Sequence, residues 1–322
     1  MRWKKLGQIF DPRNVNDGIE RPWMKEFSQC TSTIIFDDFV RIYFSCRPDR
    51  DDEGQAVSHT AFVDMDKNFN IINVAKQPIL PLGKLGTFDE HAIYPTCVIK
   101  NNDEYLLYYA GWYRCKSVPF NTSIGIAKSK DGILFERIGD GPIIAPNLNE
   151  PFVISGPKVR KFNDIWYMYY LAGTKWIENN GKPEIIYKIK MAMSENGFDW
   201  HRLGQSLGKI IIPDLLEPEE CQAGPDVFYY KGKYHMYFAY RYGLDFRNST
   251  RGYRIGYAHS TNLINWTRDD ENVGITYSES GWDSEMHHYP HVFEWNTNHY
   301  MLYNGNEFGR YGFGLAIMEK GE

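Results

Sequence analysis

The sequence Trp-His-Arg-Leu-Gly-Gln at residues 200–205 repeats, with two changes, the sequence Trp-Lys-Lys-Leu-Gly-Gln at residues 3–8. Related segments begin at Phe135 and Trp266, and a more divergent one begins at Phe69. The five aromatic residues that open these segments are 65 or 66 residues apart. A constant spacing of this length is typical of a repeat protein, so we expect five structural repeats.

Each repeat also contains three further segments with the character of β-strands. The first follows a landmark proline, the second is rich in tyrosine, and the third mixes small and β-branched residues. Short runs of this kind, separated by Gly, Asn and Asp, predict antiparallel strands. Four strands in about 65 residues form one blade of a β-propeller. The landmark prolines are Pro95, Pro157, Pro225 and Pro290, and Thr31 takes this place in the first repeat.

The last repeat contains only three of the four segments, and the segment at Trp3 precedes the first complete repeat. We therefore predict that residues 3–10 pair with the strand around residues 312–317, because this pairing closes the ring and removes two open sheet edges. The predicted fold class is all-β, a five-bladed β-propeller with four antiparallel strands per blade, in which the N-terminal strand closes the last blade. Residues 1–322 are expected to form a single domain.

Amino-acid composition and net charge limit which binding partners and which cellular compartment we expect for the protein. The net charge is −5 and the chain has no basic run, which gives no support for nucleic acid or an anionic membrane as partner. Five cysteines without metal-binding or disulfide spacing are expected to be reduced thiols. The chain shows neither a signal peptide nor an apolar span, so we expect a cytoplasmic protein.

Acidic residues precede three of the landmark prolines at one offset. Glu90, Glu220 and Glu285 each lie five positions before a proline, and Asp89 and Asp283 lie close to them. Because the inner strands of a propeller surround one axis, we expect these acids to converge on an axial pocket. Carboxylates that gather in partial shelter acquire different pKa values and can serve as separate acid and base. The alternative is that each acid caps a turn or pairs with an arginine.

The residues next to each acid predict its catalytic role. The catalytic candidates are Asp89, Glu220 and Glu285. The apolar surroundings of Glu220 predict a general acid, since desolvation raises a carboxyl pKa, and the polar neighbours of Asp89 predict a base. Asp283 and Glu285 form a competing pair.

Cationic, aromatic and amide side chains follow the second strands and are expected on the same face of the ring as the acids. Together they suit a polyhydroxylated or phosphorylated substrate. His287 is a further candidate for binding substrate, but its neighbour His288 should point away from it on a strand, so we expect neither a metal nor a cofactor. The substrate-binding candidates are Arg47, Glu90, Trp112, Lys175, Arg241, Asp283, His287 and Asn306.

Residues 258–266 (Ala-His-Ser-Thr-Asn-Leu-Ile-Asn-Trp) resemble the Ala-x-Ser-x-Asp-Leu-x-x-Trp turn of five-bladed β-propeller glycoside hydrolases, and residues 127–135 are a second copy. That superfamily includes the arabinanase and xylosidase type (family 43), the invertase type and the mannoside phosphorylases. Through residues 86–89, 281–286 and 303–306, the chain also resembles a branch often found with surface-polysaccharide genes.

The resemblance implies an enzyme that cleaves glycosidic bonds, and the related families mostly invert the anomeric centre. The arabinanase type carries Asp directly before the strand proline, whereas this chain has Tyr94, Gly156, Gly224 and Tyr289 there, so those catalytic residues cannot be transferred. We expect an inverting glycoside hydrolase that uses two carboxylates and acts on a small-molecule or oligosaccharide substrate. The alternatives are a glycoside phosphorylase, with Arg47 and Arg241 holding phosphate, and a non-hydrolytic sugar-binding or polysaccharide-biosynthesis protein.

Overall fold

The computed structural model describes residues 1–50, 52, 57–203, 211–216 and 219–320, and the predicted strands form five four-stranded antiparallel sheets there. Each sheet is one blade. In chain order the strands are β1 (Trp3–Phe10); β2 (Glu26–Ile35), β3 (Phe39–Arg47), β4 (His59–Asp66) and β5 (Ile71–Val74) in the first blade; β6 (Ala92–Asn101), β7 (Glu104–Arg114), β8 (Phe120–Ser129) and β9 (Glu136–Arg137) in the second; β10 (Ile154–Phe162), β11 (Ile165–Asn179), β12 (Lys182–Ser194) and β13 (His201–Arg202) in the third; β14 (Glu220–Tyr230), β15 (Lys233–Tyr242), β16 (Arg254–Ser260) and β17 (Thr267–Arg268) in the fourth; and β18 (His288–Trp295), β19 (Asn298–Asn304) and β20 (Phe313–Met318) in the fifth.

The inner strand of each blade is β2, β6, β10, β14 or β18. Each of them contacts the inner strands of both neighbouring blades, so the five surround a central axis. The predicted five-bladed β-propeller is confirmed. Helical structure in the described residues is limited to short turns at Pro12–Asn14, Asp270–Asn272 and Asn306–Gly309.

Strand β1 completes the fifth blade, which confirms the predicted ring closure. The sheet order is β1-β20-β19-β18, with Trp3 opposite Met318 and Phe10 opposite Phe313. Both Trp3 and Phe10 are buried. The indole N–H of Trp3 also donates a 2.8 Å hydrogen bond to the hydroxyl of Tyr237, so β1 joins the fifth blade to the fourth.

The Ala-x-Ser-x-Asp turn between the third and fourth strands is held by its own side chains. The Ser129 hydroxyl accepts a hydrogen bond from the N–H of Gly132 at 2.9 Å, and Asp131 Oδ1 accepts one from the N–H of Ile133 at 2.8 Å. The Gly132 carbonyl accepts a 2.8 Å hydrogen bond from Tyr43 of the preceding blade. This motif therefore stabilises blade packing and marks the fold rather than an activity. The same contacts recur at Ser194, Asn196 and Tyr108, and at Ser260, Asn262 and Tyr169.

Every inner strand is interrupted at the landmark position. In β10 the pairing register shifts between Ser155 and Lys158, and the other four inner strands shift at the corresponding place. Gly156 and Gly224 have φ angles of 64° and 53°, in the left-handed region that glycine tolerates best. A β-bulge re-aims the side chain that follows it. Lys158 accordingly reaches across the axis to the carbonyl of Thr31 in the first blade.

The cysteines and the helices bear on the expected thiol state and on membrane association. All five cysteines are free thiols, and four of them are buried. Among the residues that the structure describes, no helix is long and apolar enough to cross a membrane.

Candidate functional site

A cavity of about 840 Å³ lies on the axis, lined by residues from the inner strands of all five blades. The loops that follow the second strands form its outer wall. Of the eleven predicted site residues, Arg47, Trp112, Arg241 and Glu285 line this cavity. Seven others do not belong to its lining: Asp89, Glu90, Lys175, Glu220, Asp283, His287 and Asn306.

Asp89, Glu220 and Asp283 instead each form an ion pair within their own blade, and the same kind of pair recurs from blade to blade. In each case the cation is the third residue of a repeated aromatic segment on the outermost strand. The carboxylates are nearly or fully buried. The sequence-based placement of these acids on the axis is therefore wrong, and the alternative of pairing with a cation holds. The pairs are Asp89 with Arg137 at 2.7 Å, Glu220 with Arg268 at 2.7 Å and Asp283 with Lys5 at 2.8 Å, and Glu150 with Arg202 at 2.8 Å is a fourth.

Further hydrogen bonds occupy these carboxylates. Asp89 Oδ2 also accepts from the Tyr109 hydroxyl at 2.9 Å, and Glu220 Oε1 also accepts from Gln222 at 2.9 Å. Glu220 Oε2 accepts from the backbone N–H groups of residues 215 and 216 at 2.9 and 3.0 Å. These contacts leave neither carboxylate available for a substrate, which removes the basis for Glu220 as general acid and Asp89 as base.

The remaining predicted residues hold the surrounding loops. Glu90 accepts a 2.6 Å hydrogen bond from the N–H of Gly86, and Lys175 pairs with Glu219 at 2.6 Å. His287 lies 3.2 Å from Asp283, whose pKa is lowered by hydrogen bonds from His287 and Lys5 despite the opposing effect of burial. The described residues contain no group of three or more His, Cys, Asp or Glu side chains that could hold a metal. The side-chain oxygen of Asn306 accepts hydrogen bonds from the N–H groups of Glu285 and Met286 at 2.7 and 3.0 Å, so Asn306 positions the Glu285 loop.

Breaking one of the recurring ion pairs should strongly destabilise the protein. Arg268→Met leaves Glu220, which is 0% exposed, without a cation. An uncompensated buried charge costs about 3–5 kcal/mol, so we expect a loss of that size in the free energy of unfolding in urea. Lys67→Met, which breaks an exposed pair with Asp38, is the control and should cost under about 1 kcal/mol. Equal effects of the two substitutions would contradict a structural role for the Arg268 pair.

One wall of the cavity is aromatic. The rings of Trp112 and Phe120 lie with centroids 4.1 Å apart, and Tyr94 contacts Trp112 at 5.7 Å. Trp176, on the long hairpin of β11 and β12, extends this wall with a ring contact to Phe120 at 5.7 Å. Aromatic faces of this kind stack on the apolar faces of sugar rings.

The acids at the cavity mouth differ in their partners. Glu26 pairs with Arg310 at 2.6 Å, and Glu184 pairs with Arg247 at 2.5 Å. The side chain of Glu184 is 12% exposed and that of Glu26 is 32% exposed. Glu285, by contrast, is exposed and has no ion-pair partner in the described part of the chain. The same holds for Asp49, which the sequence analysis missed.

Arg241 is the most sheltered cation of the lining, at 3% exposure. Its guanidinium donates to the Tyr242 carbonyl at 2.8 Å and to the Tyr187 hydroxyl at 3.0 Å, and lies 3.4 Å from the centroid of Phe246. Its Nε is buried without an acceptor. Burial raises the pKa values of Tyr187 and Cys221, so these neighbours stay neutral. Arg241 therefore has no counterion among the residues described.

Arg47, at the end of β3 in the first blade, lies in a similar environment. Its guanidinium stacks over Phe27 at 4.4 Å and near Tyr94 at 5.6 Å, and its Nε is buried without an acceptor among the described residues. Burial raises the pKa of the nearby Cys30 thiol to about 12, so this group is not an anion at neutral pH. Among the described residues, neither arginine has an ion-pair partner, and both line the cavity.

Three charged or titratable residues that the sequence analysis missed meet at the axis, each directly after a landmark proline. Lys158, Asp226 and His291, with Arg160, form what we call the axial cluster. His291 Nδ1 lies 2.8 Å from Asp226 Oδ2, and Arg160 Nη2 donates to Asp226 Oδ1 at 2.6 Å. Lys158 lines the cavity, and the other side chains support it from below. Polar residues at this position in otherwise apolar strands were the available signal.

Comparisons with known proteins agree with this fold. No protein-family model matches the sequence. The chain is 32% identical over 320 residues to "Uncharacterized protein Rv1502" of Mycobacterium tuberculosis (strain ATCC 25618 / H37Rv), covering 99% of this chain and 100% of that protein. It is 26% identical over 149 residues to the "Beta-1,2-mannobiose phosphorylase" of Thermoanaerobacter sp. (strain X514), covering 42% of this chain and 46% of that protein.

Solved structures share the architecture at low sequence identity. One described as "Glycoside hydrolase" has a TM-score of 0.74 and 14% identity, over 99% of this chain and 92% of that one. A structure from "The GH130 family of mannoside phosphorylases contains glycoside hydrolases that target beta-1,2 mannosidic linkages in Candida mannan" has a TM-score of 0.67 and 13% identity, over 98% and 93% of the two chains. The chain therefore belongs to the family of the Mycobacterium tuberculosis protein Rv1502, on the five-bladed β-propeller fold of glycoside hydrolases and mannoside phosphorylases.

Proposed function

We propose that the protein cleaves a glycosidic bond of an oligosaccharide in the axial cavity, and that phosphate rather than water receives the glycosyl group. The supporting observation is that a cation and the acids of the cavity lining differ in whether their buried charge is paired. Arg241 is buried and has no counterion among the described residues, whereas the less exposed carboxylates of the described lining, Glu184 and Glu26, are paired with arginines. A buried unpaired cation is costly unless a ligand supplies the negative charge.

The similarity to known proteins is consistent with carbohydrate chemistry. The relative from Thermoanaerobacter is named as a phosphorylase of β-1,2-mannobiose, and the structural neighbours include glycoside hydrolases. The aromatic wall of Trp112 and Phe120 offers planar faces for a sugar. These similarities support a glycosidic substrate, and the choice of phosphate as acceptor rests on the arginines.

In the proposed reaction, Arg47 and Arg241 hold phosphate through the fork geometry of their guanidinium groups. A phosphate oxygen bonds to the anomeric carbon while the glycosidic C–O bond breaks. The departing oxygen takes a proton from the Glu285 carboxyl, which later regains a proton from solvent. The products are a sugar phosphate and the shortened oligosaccharide.

Hydrolysis by two carboxylates is the second candidate. It is favoured by the presence of two unpaired acids, Asp49 and Glu285, in the described cavity lining. One would protonate the leaving group while the other activates water, as in an inverting enzyme. An inverting hydrolase needs both of these acids, however, whereas phosphorolysis needs Glu285 alone.

Glu285→Gln tests the catalytic proposal. We expect turnover of an oligosaccharide to fall by about 10²–10⁴-fold, because a poor leaving group needs the proton, whereas an activated aryl glycoside should be largely spared. Wild type and variant are assayed on mannosides, arabinosides, xylosides and fructosides with and without phosphate, and both sugar phosphate and free sugar are quantified.

Glu279→Gln, an exposed acid of the same loop outside the cavity lining, is the matched control and should retain wild-type turnover. Cleavage that proceeds equally well without phosphate and releases only free sugar would favour hydrolysis. Absence of cleavage by the wild type across the panel would support the sugar-binding alternative instead.

A further inference from the structure

We propose that the floor of the axial cavity binds an acidic group carried by the sugar substrate itself, with Lys158 as the cation that receives it. This inference rests on the proposed function for the identity of the ligand as a sugar. It concerns a different part of the cavity from the Arg47 and Arg241 clamp. Lys158 lies beyond the bulge of its inner strand, whereas Arg47 and Arg241 lie near the ends of their second strands.

The hydrogen bonds of the axial cluster show that Lys158 retains free donors. The 2.8 Å contact between His291 Nδ1 and Asp226 requires a proton on Nδ1, which then donates to the carboxylate. His291 Nε2 accepts from the Thr33 hydroxyl at 2.9 Å. The 3.4 Å contact between Lys158 Nζ and the same Nδ1 therefore joins two donors and is not a hydrogen bond. Only the carbonyl of Thr31 accepts from the ammonium in the described structure.

The charges of the cluster do not cancel. Asp226 is fully buried and contributes one negative charge, while Lys158 and Arg160 contribute two positive charges. Burial, together with the charge of Lys158, lowers the pKa of His291 to about 3, so the imidazole is neutral near pH 7. Since Arg160 pairs with Asp226 at 2.6 Å, the unbalanced positive charge belongs to Lys158.

Lys158 is sheltered yet accessible to a ligand. The residue is only 7% exposed, and that surface faces the cavity. The neighbouring Cys30 thiol is neutral, so it supplies no counterion. A phosphate dianion bound between Arg47 and Arg241 balances two positive charges and leaves that of Lys158. A carboxylate or phosphate ester on the sugar that reaches the floor supplies the remaining negative charge.

Isothermal titration calorimetry of the full chain tests this inference without requiring turnover. The probes are three matched pairs, glucose and glucuronate, galactose and galacturonate, mannose and mannuronate, with mannose 6-phosphate and inorganic phosphate as separate ligands. We expect an acidic sugar to bind at least tenfold more tightly than its neutral partner. Lys158→Met should abolish this preference while leaving the affinity for inorganic phosphate within about twofold.

Each outcome decides the question. A preference for uronates identifies a carboxylate, and a preference for mannose 6-phosphate identifies a phosphate ester. Equal affinities within all pairs and no gain for the sugar phosphate, or a preference that survives Lys158→Met, would overturn the proposal. If Lys158→Met loses only the binding of inorganic phosphate, Lys158 belongs to the phosphate site, and this result would also overturn the proposal. Lys158→Gln serves if the Met variant does not fold. Acid-dependent binding without phosphorolysis would refute the proposed reaction and retain this site.

Discussion

Deletion of residues 1–10 should prevent the protein from reaching a stable fold. Trp3 and Phe10 are 6% and 2% exposed, and removing a buried Trp or Phe side chain costs about 3–5 kcal/mol each. Loss of Lys5 leaves the buried Asp283 carboxylate without its cation, at a further cost of about 3–5 kcal/mol. The sum, about 9–15 kcal/mol, is comparable to the total stability of a typical domain. Thermal unfolding monitored by circular dichroism and the elution volume in gel filtration measure the effect.

Two point variants and a permuted chain separate loss of the strand from loss of its position in the sequence. Lys4→Ala and Leu6→Ala alter exposed residues of the same strand and should leave the melting temperature nearly unchanged. Because Trp3 lies opposite Met318, a permuted chain that starts at residue 11 and carries residues 1–10 after a short turn following residue 319 should regain the wild-type melting temperature. An unchanged melting temperature in the simple deletion would show that β1 does not stabilise the ring.

Arg241→Met should reduce kcat/KM for phosphorolysis by about 10³-fold, or about 4 kcal/mol of transition-state stabilisation. The same substitution should not lower the melting temperature. It removes a buried charge that has no counterion in the described structure, and replacing such a charge by an apolar side chain is often neutral or stabilising. This combination, inactive but at least as stable, is typical of a residue retained for function at a cost in stability.

Comparison with Arg268→Met distinguishes a structural role of Arg241 from a functional one. Both arginines are nearly buried, but Arg268 neutralises Glu220 and Arg241 neutralises no described carboxylate. Arg251→Met, in the same blade but outside the cavity lining, controls for loss of a guanidinium and should retain activity. If Arg241→Met instead lowers stability as much as Arg268→Met while retaining activity, Arg241 has a structural role and the phosphate proposal fails.

The five blades were predictable because the features that define them are local in sequence. The turn at Ser129 and Asp131 is held by hydrogen bonds spanning two to three residues, so each repeat encodes its own hairpin. Ring closure followed from counting strands, because an open sheet edge at each end of the chain is unfavourable. Neither inference needed knowledge of contacts between distant residues.

Asp89 was misplaced because the inner strand was assumed to be extended already at that position. Strand β6 begins at Ala92, so Asp89 lies in the preceding loop and reaches Arg137 on the outermost strand. The matching cations at the third position of the aromatic segments could have revealed this pairing. Glu285 reached the cavity, but it does so from a loop positioned by Asn306 rather than from an inner strand.

The axial cluster could not be derived from sequence in the same way. Lys158 contacts Thr31 and lies beside His291, which belong to the first and fifth blades. Only the curvature of the closed ring brings these positions together, and nothing within one repeat encodes it. The aromatic wall is similar, since Trp112 and Trp176 come from different blades and are joined through Phe120.

Closure of the fifth blade by β1 also sets an order of events during synthesis. Trp3 and its partner Met318 are 315 positions apart (318 − 3), and β1 is made before every other strand described here. At about 5–20 residues per second, this strand waits roughly 15–60 s for β20 to emerge from the ribosome. During that interval the four complete blades can assemble while the edge of β1 stays unpaired and open to association with other nascent chains. The yield of folded protein should therefore depend on translation rate and chaperone supply as well as on the stability of the finished ring.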